Sequence, residues 1–200
     1  RSIEAAECSR CGQCSTHCPV NALLVREDSE RAIDAFSDPD RITIVQIAPA
    51  VRAAWGESLG LPRETATVGK LGDALRRMGA DYVFDTDLGA DLTIMEEASE
   101  FLERMRAGTR LPMFTSCCPG WVRFLKSQYP DMVSQLSTSK SPHQMFGTLT
   151  KTWLAQRLGV DPSRIFNISI MPCVAKKQEI DIPAMNDSGF RDVDLVLTTM

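Results

Sequence analysis

Ile42-Thr43-Ile44-Val45-Gln46-Ile47-Ala48, closed by Pro49, is apolar or β-branched at almost every position. It lacks the strict alternation of a half-wet strand and reads as a parallel strand covered on both faces. Pro49 suits the first turn of a helix, so a helical stretch is expected through Trp55. Further along, Val68, Leu71, Leu75 and Met78 recur at helical intervals, which predicts a helix from Thr67 to Met78 ended by Gly79. Asp81-Tyr82-Val83-Phe84-Asp85 reads as the next strand, and Leu92 to Met105 as an amphipathic helix stopped near Gly108. Leu111-Pro112-Met113-Phe114-Thr115 reads as another strand. Helices are expected over 119–128 and 142–158, and strands over Arg164 to Met171 and Val193 to Leu197.

Strands alternating with helices imply an α/β fold, a mostly parallel sheet flanked by helices. Ligands of such sheets gather at the carboxyl ends of strands. Cys117 and Cys118 follow one expected strand and Cys173 follows another, so both cysteine motifs are expected on that edge.

Upstream the texture is different. Cys8, Cys11, Cys14 and Cys18, with Pro19 behind them, form the run C-x2-C-x2-C-x3-C-P. This is the spacing that hands thiolates to a 4Fe-4S cubane in bacterial ferredoxins. Structural zinc usually takes C-x2-C pairs separated by a dozen or more residues, and crowded thiols with no nearby partner do not suit a disulfide framework. In two-cluster modules the last cysteine of a run ligates the other cluster, so Cys18 is expected to reach beyond its own cluster. With one run and Arg1 in place of an initiator Met, the chain reads as a piece of a longer protein, cut at both ends. Ala22-Leu23-Leu24-Val25 suits a short strand, and the charged stretch with Asp38-Pro39 reads as a linker into a helix-poor turn. The organisation expected is a partial ferredoxin-like α+β module over 1–28, a linker over 29–41 and the α/β unit over 42–200.

Two hundred residues at 44% hydrophobic content are enough for one good core. A formal charge of -4 with mixed signs and no basic stripe argues against nucleic acid. No apolar run reaches the ~18–20 residues that span a bilayer. Seven cysteines are an odd set, which favours reduced, metal-bound or reactive thiols and a reducing, cytoplasmic setting, with the periplasm left open. Trp55, Trp121 and Trp153 read as core packing, and the methionines between 78 and 145 as core or pocket lining.

Taken alone, Cys117 and Cys118 are a pair of small buried hydrophobes, and Glu97 and Glu100 are solvated helix charges. Ser137 is a cap or turn residue, His143 a hydrogen-bonded structural residue, and at least one of Lys176 and Lys177 plain surface.

Together, Thr115-Ser116-Cys117-Cys118-Pro119-Gly120-Trp121 and Met171-Pro172-Cys173-Val174-Ala175-Lys176-Lys177-Gln178-Glu179 resemble signature motifs of the catalytic subunit of FeFe (iron-only) hydrogenases. The resemblance implies a partial H-cluster domain and reversible reduction of protons to H2. The H-cluster of that family is a 4Fe-4S cubane joined to a diiron unit carrying CO, cyanide and a bridging dithiolate. By resemblance, Cys118 and Cys173 are cubane ligands and Cys117 is the free thiol that passes protons. Lys176 bonds a cyanide, Met171 and Pro172 pack on the diiron unit, and Pro49 and Ala50 line its pocket. Glu97, Glu100 and Ser137 form a proton path with Arg104 at its outer end. Cysteine, and a desolvated glutamate of raised pKa, are suited to such a relay. His143 stands where some relatives have an amide near the diiron unit.

The partners implied are H2 and protons, ferredoxin or NAD(P)-linked subunits, and maturation proteins. The remaining cubane ligands belong to a motif past Met200, so the chain alone is expected to be inactive. An H2-sensing relative, an iron–sulfur assembly protein without the diiron unit, and a ferredoxin carrier with an unrelated tail are the alternatives. Cys117 discriminates, since sensors and assembly relatives tend to have another residue there.

Overall fold

Strands β1 (Ile42–Ile47), β2 (Tyr82–Asp85), β3 (Ile165–Met171) and β4 (Leu195–Thr198) pair in parallel, in the order β2-β1-β3-β4. These positions come from a computed structural model, which describes residues 6–199. Ile44, Val45 and Ile168 are fully buried. Burial of each such side chain contributes about 1.5–3 kcal/mol, and this explains why β1 is apolar or β-branched at almost every position.

The helices are α1 (Gln13–Thr16), α2 (Ser29–Ser37), α3 (Pro49–Ala54), α4 (Val68–Arg77), α5 (Asp87–Ala107), α6 (Pro119–Gln128), α7 (Pro142–Leu149), α8 (Ala155–Leu158) and α9 (Lys176–Glu179). Thr67 caps α4 by accepting from the Lys70 N–H, and Pro49 opens α3 at its first position. A π turn, Thr150–Leu154, joins α7 to α8. Among the described residues no helix is long and apolar enough to cross a membrane.

From β1 the chain moves to β2 on one side, then crosses to β3 on the other. The order in which strands are added therefore reverses between β1 and β3, and the crevice beyond their carboxyl ends is the natural ligand site. The two strands are still joined there, since the Ala48 N–H donates to the Ile170 carbonyl at 3.0 Å.

Several expectations are corrected. Leu111 to Thr115 is not a strand: it holds one bridge, Phe114 to Leu136, off the sheet. Pro112 brings no N–H to a ladder, so apolar content was a poor guide there. Cys117 and Cys118 thus follow a bridge, and only Cys173 follows a sheet strand. Ala22 to Val25 forms no strand, and Leu23 and Leu24 are exposed. The stretch read as a linker carries α2, whose Ala32 and Ala35 are buried in the main core. Helix α5 begins at Asp87, before the expected Leu92. Trp153 is 54% exposed, and Met78, Met95 and Met105 are exposed as well.

A buried polar network joins the sheet to α7. The Gln46 amide donates to Asn167 Oδ1 at 3.1 Å and to the His143 carbonyl at 3.0 Å. Gln46 Oε1 accepts from Thr86, and the Asn167 amide donates to Thr150. Polar groups in an interior persist when bonded in this way.

Gly89 on α5 packs directly against the start of α7, and a Cβ there would collide with the Pro142 carbonyl oxygen. Gly89→Ala is expected to destabilise the protein by about 1–3 kcal/mol or more, seen as a lower denaturant midpoint at unchanged slope.

Candidate functional site

At the end of β3 Met171 is buried; beyond it Pro172 is exposed and Cys173 is half-buried before α9 begins. Facing it, Cys117 and Cys118 are exposed on the loop that enters α6. Cys118 caps that helix: its Sγ accepts the Trp121 N–H at 3.4 Å, with Pro119 at the first helical position. Pro49 and Ala50 are exposed in the first turn of α3, just past β1.

Lys176 ties the two cysteine motifs together. Its Nζ donates to the Cys117 carbonyl at 2.6 Å and to Glu179 Oε2 at 2.9 Å. The same carboxylate oxygen meets His143 Nε2, while His143 Nδ1 lies 3.2 Å from Ser169 Oγ. Burial pushes the Glu179 carboxyl up, but His143 and Lys176 pull harder and bring it down to about 2. Burial lowers the His143 pKa and keeps the ring neutral.

A carboxylate whose folded pKa is depressed contributes stability above its unfolded value, and that contribution is lost as pH falls through the folded one. Glu179 moves from 4.5 to about 2, so its contribution should disappear across that window. Acid unfolding of Glu179→Gln should show a flatter profile between those limits.

Glu179 received no role in the sequence reading, although the i, i+3 spacing to Lys176 on one helical turn was the signal for it. Lys177 is also no surface residue. It is buried, donating to the Arg26 carbonyl at 2.9 Å and to Asp28 Oδ2 at 2.7 Å.

Glu100 and Ser137 come together as expected. Ser137 Oγ donates to Glu100 Oε2 at 2.8 Å, and the Thr138 N–H donates to the same oxygen at 3.0 Å. Arg104 Nη2 completes the set, 2.5 Å from Glu100 Oε1. The Glu100 pKa moves opposite to the expectation. Burial raises it, but the Thr138 N–H, the Ser137 hydroxyl and Arg104 outweigh that and lower it, so the carboxylate stays ionised.

Arg104 is not an outer residue: it is 1% exposed and binds the carbonyls of Arg110, Gln135 and Leu136 as well as Glu100. Its fork matches four acceptors (three carbonyls and a carboxylate), which holds the 110–111 and 135–136 chain segments on α5. Glu97 does not bond Ser137; its Oε1 is buried with no hydrogen-bond partner among the described residues.

A cavity of about 590 Å³ opens between the motifs. Its walls include Ser116, Pro119 and Ser137 on one side and Ala175, Gln178 and Glu179 on the other. Ser9 and Arg10 from the cysteine run also line it, so the run packs beside the site. Arg10 Nη1 donates to Gln178 Oε1 at 2.8 Å, and Arg123 Nε to the Cys8 carbonyl at 3.1 Å.

Within the run, Cys8 Sγ accepts the Arg10 N–H and Cys18 Sγ the Ala22 N–H, each at 3.3 Å. The Gln13 N–H and Ser9 hydroxyl lower the Cys11 thiol, and the N–H groups of Val20, Ala22 and Leu23 lower that of Cys18. Cys14 is exposed. Among the described residues no three His, Cys, Asp or Glu side chains converge on a single-ion site. An iron–sulfur cubane spreads its thiolates wider than one ion does. Amide N–H groups aimed at sulfur are also what tunes such a cluster. The donor set therefore fits iron–sulfur groups: thiols primed by amides in the run, and at the motifs an amide aimed at the Cys118 sulfur with an ammonium fixed on the Cys117 carbonyl.

Comparisons with known proteins agree with this chemistry. The family "Iron only hydrogenase large subunit, C-terminal domain" matches residues 41–200, and "4Fe-4S binding domain" matches residues 2–24. The NADP-reducing hydrogenase subunit HndD of Solidesulfovibrio fructosivorans is 50% identical over 96% of this chain and 34% of its own length. Iron hydrogenase 1 of Clostridium pasteurianum is 45% identical over 90% of this chain and 32% of its own. The apo HydA1 hydrogenase of Chlamydomonas reinhardtii superposes with a TM-score of 0.78 at 42% identity, over 87% of this chain and 46% of that one. The cytosolic iron-sulfur assembly component 3 of Rattus norvegicus is 31% identical over 98% of this chain and 44% of its own. The chain thus spans about a third to a half of the length of these relatives.

Proposed function

The chain belongs to the iron-only hydrogenase large-subunit family, and from that premise we propose that it forms part of a site interconverting protons and electrons with H2. The observation that carries the proposal is Cys117. It is an exposed thiol at the head of the motif, and its carbonyl is held by Lys176 from the facing motif.

Cys118 and Cys173 would hold the cubane of the H-cluster, with Met171, Pro172, Pro49 and Ala50 around the diiron unit and Lys176 toward a cyanide. Bound there, the cofactor supplies the redox and hydrogen chemistry. The protein's own part is to bind it, orient it and move protons. The Cys117 thiol gives and takes the proton nearest the cofactor. Ser137 and Glu100 form the one joined pair of the path, with Glu97 supplying a buried acceptor on the same helix. Arg104 supports Glu100 from beneath, not as the outer end of the path.

Electrons would enter through a 4Fe-4S cluster on Cys8, Cys11 and Cys14, with Cys18 turned to a neighbouring cluster. Their source would be a ferredoxin or an NAD(P)-linked subunit, in keeping with the name of the HndD relative. The proposed division is a cluster module over 1–28, a connecting segment over 29–41 that carries α2, and the H-cluster domain over 42–200. Dedicated maturation proteins would install the diiron unit, in the cytoplasm.

The relatives include iron–sulfur assembly factors, so the test must separate the two classes. Infrared spectra of the anaerobically matured full-length protein should show metal-bound CO and cyanide bands. Cubane signals without those bands, in protein whose maturation machinery works on a control enzyme, would move the assignment to an assembly factor.

A further inference from the structure

Lys176 is not simply a cation near a cavity. Its ammonium is the end of a chain of side chains that starts in the sheet: Ser169 on β3, His143 on α7, Glu179 and Lys176 on α9, then the Cys117 carbonyl. His143 and Glu179 are 1% and 3% exposed, so neither is there to face water. The backbone beneath His143 is pinned too, through the Gln46 amide on its carbonyl.

We infer that His143 is a positioning residue, which locks the Glu179 carboxylate so that Glu179 in turn fixes the Lys176 ammonium on the Cys117 loop before any cofactor arrives. This rests on the hydrogenase reading of the site. It adds a role for two residues that the reading itself leaves without one.

The geometry determines which ring nitrogen matters. Glu179 is an ionised acceptor, so His143 Nε2 must carry the proton that faces it. Nδ1 is then an acceptor, and the Ser169 hydroxyl donates to it. Burial keeps the ring neutral, in agreement with that single-proton tautomer. The shared oxygen, Glu179 Oε2, receives both His143 Nε2 and Lys176 Nζ. With the imidazole gone, this buried carboxylate keeps Lys176 as its one remaining donor at that oxygen, and its orientation is no longer set from the sheet side.

Two amides of similar chemistry divide the ring's functions. Glutamine at 143 can place an N–H where Nε2 stands and keep the Glu179 contact. Asparagine is too short for that, and its amide falls near the Nδ1 position beside Ser169. A residue that merely fills space would tolerate or reject both alike.

The experiment compares His143→Gln and His143→Asn in the full-length protein before the diiron unit is installed. Acylation of Lys176 by acetic anhydride is followed by mass spectrometry. His143→Asn should raise the acylation rate by about tenfold or more, the factor that loss of one hydrogen bond to a charged group is worth. His143→Gln should remain within about twofold of wild type, well inside that same factor. In the matured protein the cyanide bands should shift in His143→Asn and stay in place in His143→Gln. Equal rates in both variants, whether both fast or both slow, would overturn the inference. If His143→Asn does not fold, His143→Leu takes its place beside His143→Gln, with the same two results decisive. The acylation arm needs no diiron unit, so failure of the hydrogenase reading would appear separately, as missing CO and cyanide bands in wild type.

Discussion

Cys117→Ala in the matured full-length protein should lower H2 turnover by about 10²–10⁴-fold while iron content remains at the wild-type level. The thiol is exposed, and Lys176 holds the loop through the Cys117 backbone carbonyl. Loop position is thus independent of the thiol, and removing the sulfur deletes a proton donor without deleting a support. Cys118→Ala and Cys173→Ala should behave differently. Each removes a thiolate assigned to the cubane, and Cys118→Ala also removes the sulfur that caps α6. Iron per protein should fall in both. Iron content and turnover measured on the same three preparations decide the matter, and equal iron loss in all of them would sink the distinction.

Arg104→Met should be among the most damaging single changes for stability, at about 3–5 kcal/mol. The side chain is fully buried, and its bonds run to the Glu100 carboxylate and to the carbonyls of Arg110, Gln135 and Leu136. Methionine fills much of the space but donates to none of those acceptors; Glu100 keeps only the Ser137 and Thr138 donors on Oε2, and the Gln135 carbonyl keeps the Phe114 N–H. Arg104→Lys recovers the charge but not the planar fork, so only part of the loss should be regained. Glu100→Gln in the Arg104→Met background should restore part of the stability, since the uncompensated charge is then gone while the carbonyls still lack the arginine. Chemical denaturation of the three variants gives each value, and a loss within about 0.5 kcal/mol of wild type, the size of an ordinary surface change, would contradict the buried-strut account.

Much of this was legible from residue patterns. β1 and β3 are mostly apolar, isoleucine-rich runs, and both form strands almost at their expected limits. Helix α4 follows its three- and four-residue spacing, with Thr67 as its cap. Leu111 to Thr115 has the same apolar character, yet it holds a single bridge, Phe114 to Leu136, and lies outside the sheet. Composition speaks to burial, and burial is shared by strands and by loops that pack. The site residues in long motifs were visible as a group, because cysteines, proline and lysine in fixed order carry chemistry. Arg104, Lys177 and Glu179 were harder to place. A charged residue on a helix reads as solvated unless its partner is known, and these partners are distant in sequence, at Gln135, Asp28 and His143.

The pairing of β1 with β3 also has a consequence for how the chain is made. Ile42 meets Ile165, a separation of 165 − 42 = 123 residues, and β2 is the neighbour that becomes available first. Closing so long a loop is slow compared with local helix formation. At ribosomal rates of roughly 5–20 residues per second, β1 waits roughly 6–25 s for its second partner. Until then one edge of β1 is bare, and the Lys176 half of the crevice does not exist. Cofactor insertion into this crevice therefore has to follow the synthesis of β3 and α9, and an apolar strand edge stays uncovered in the nascent chain while it waits.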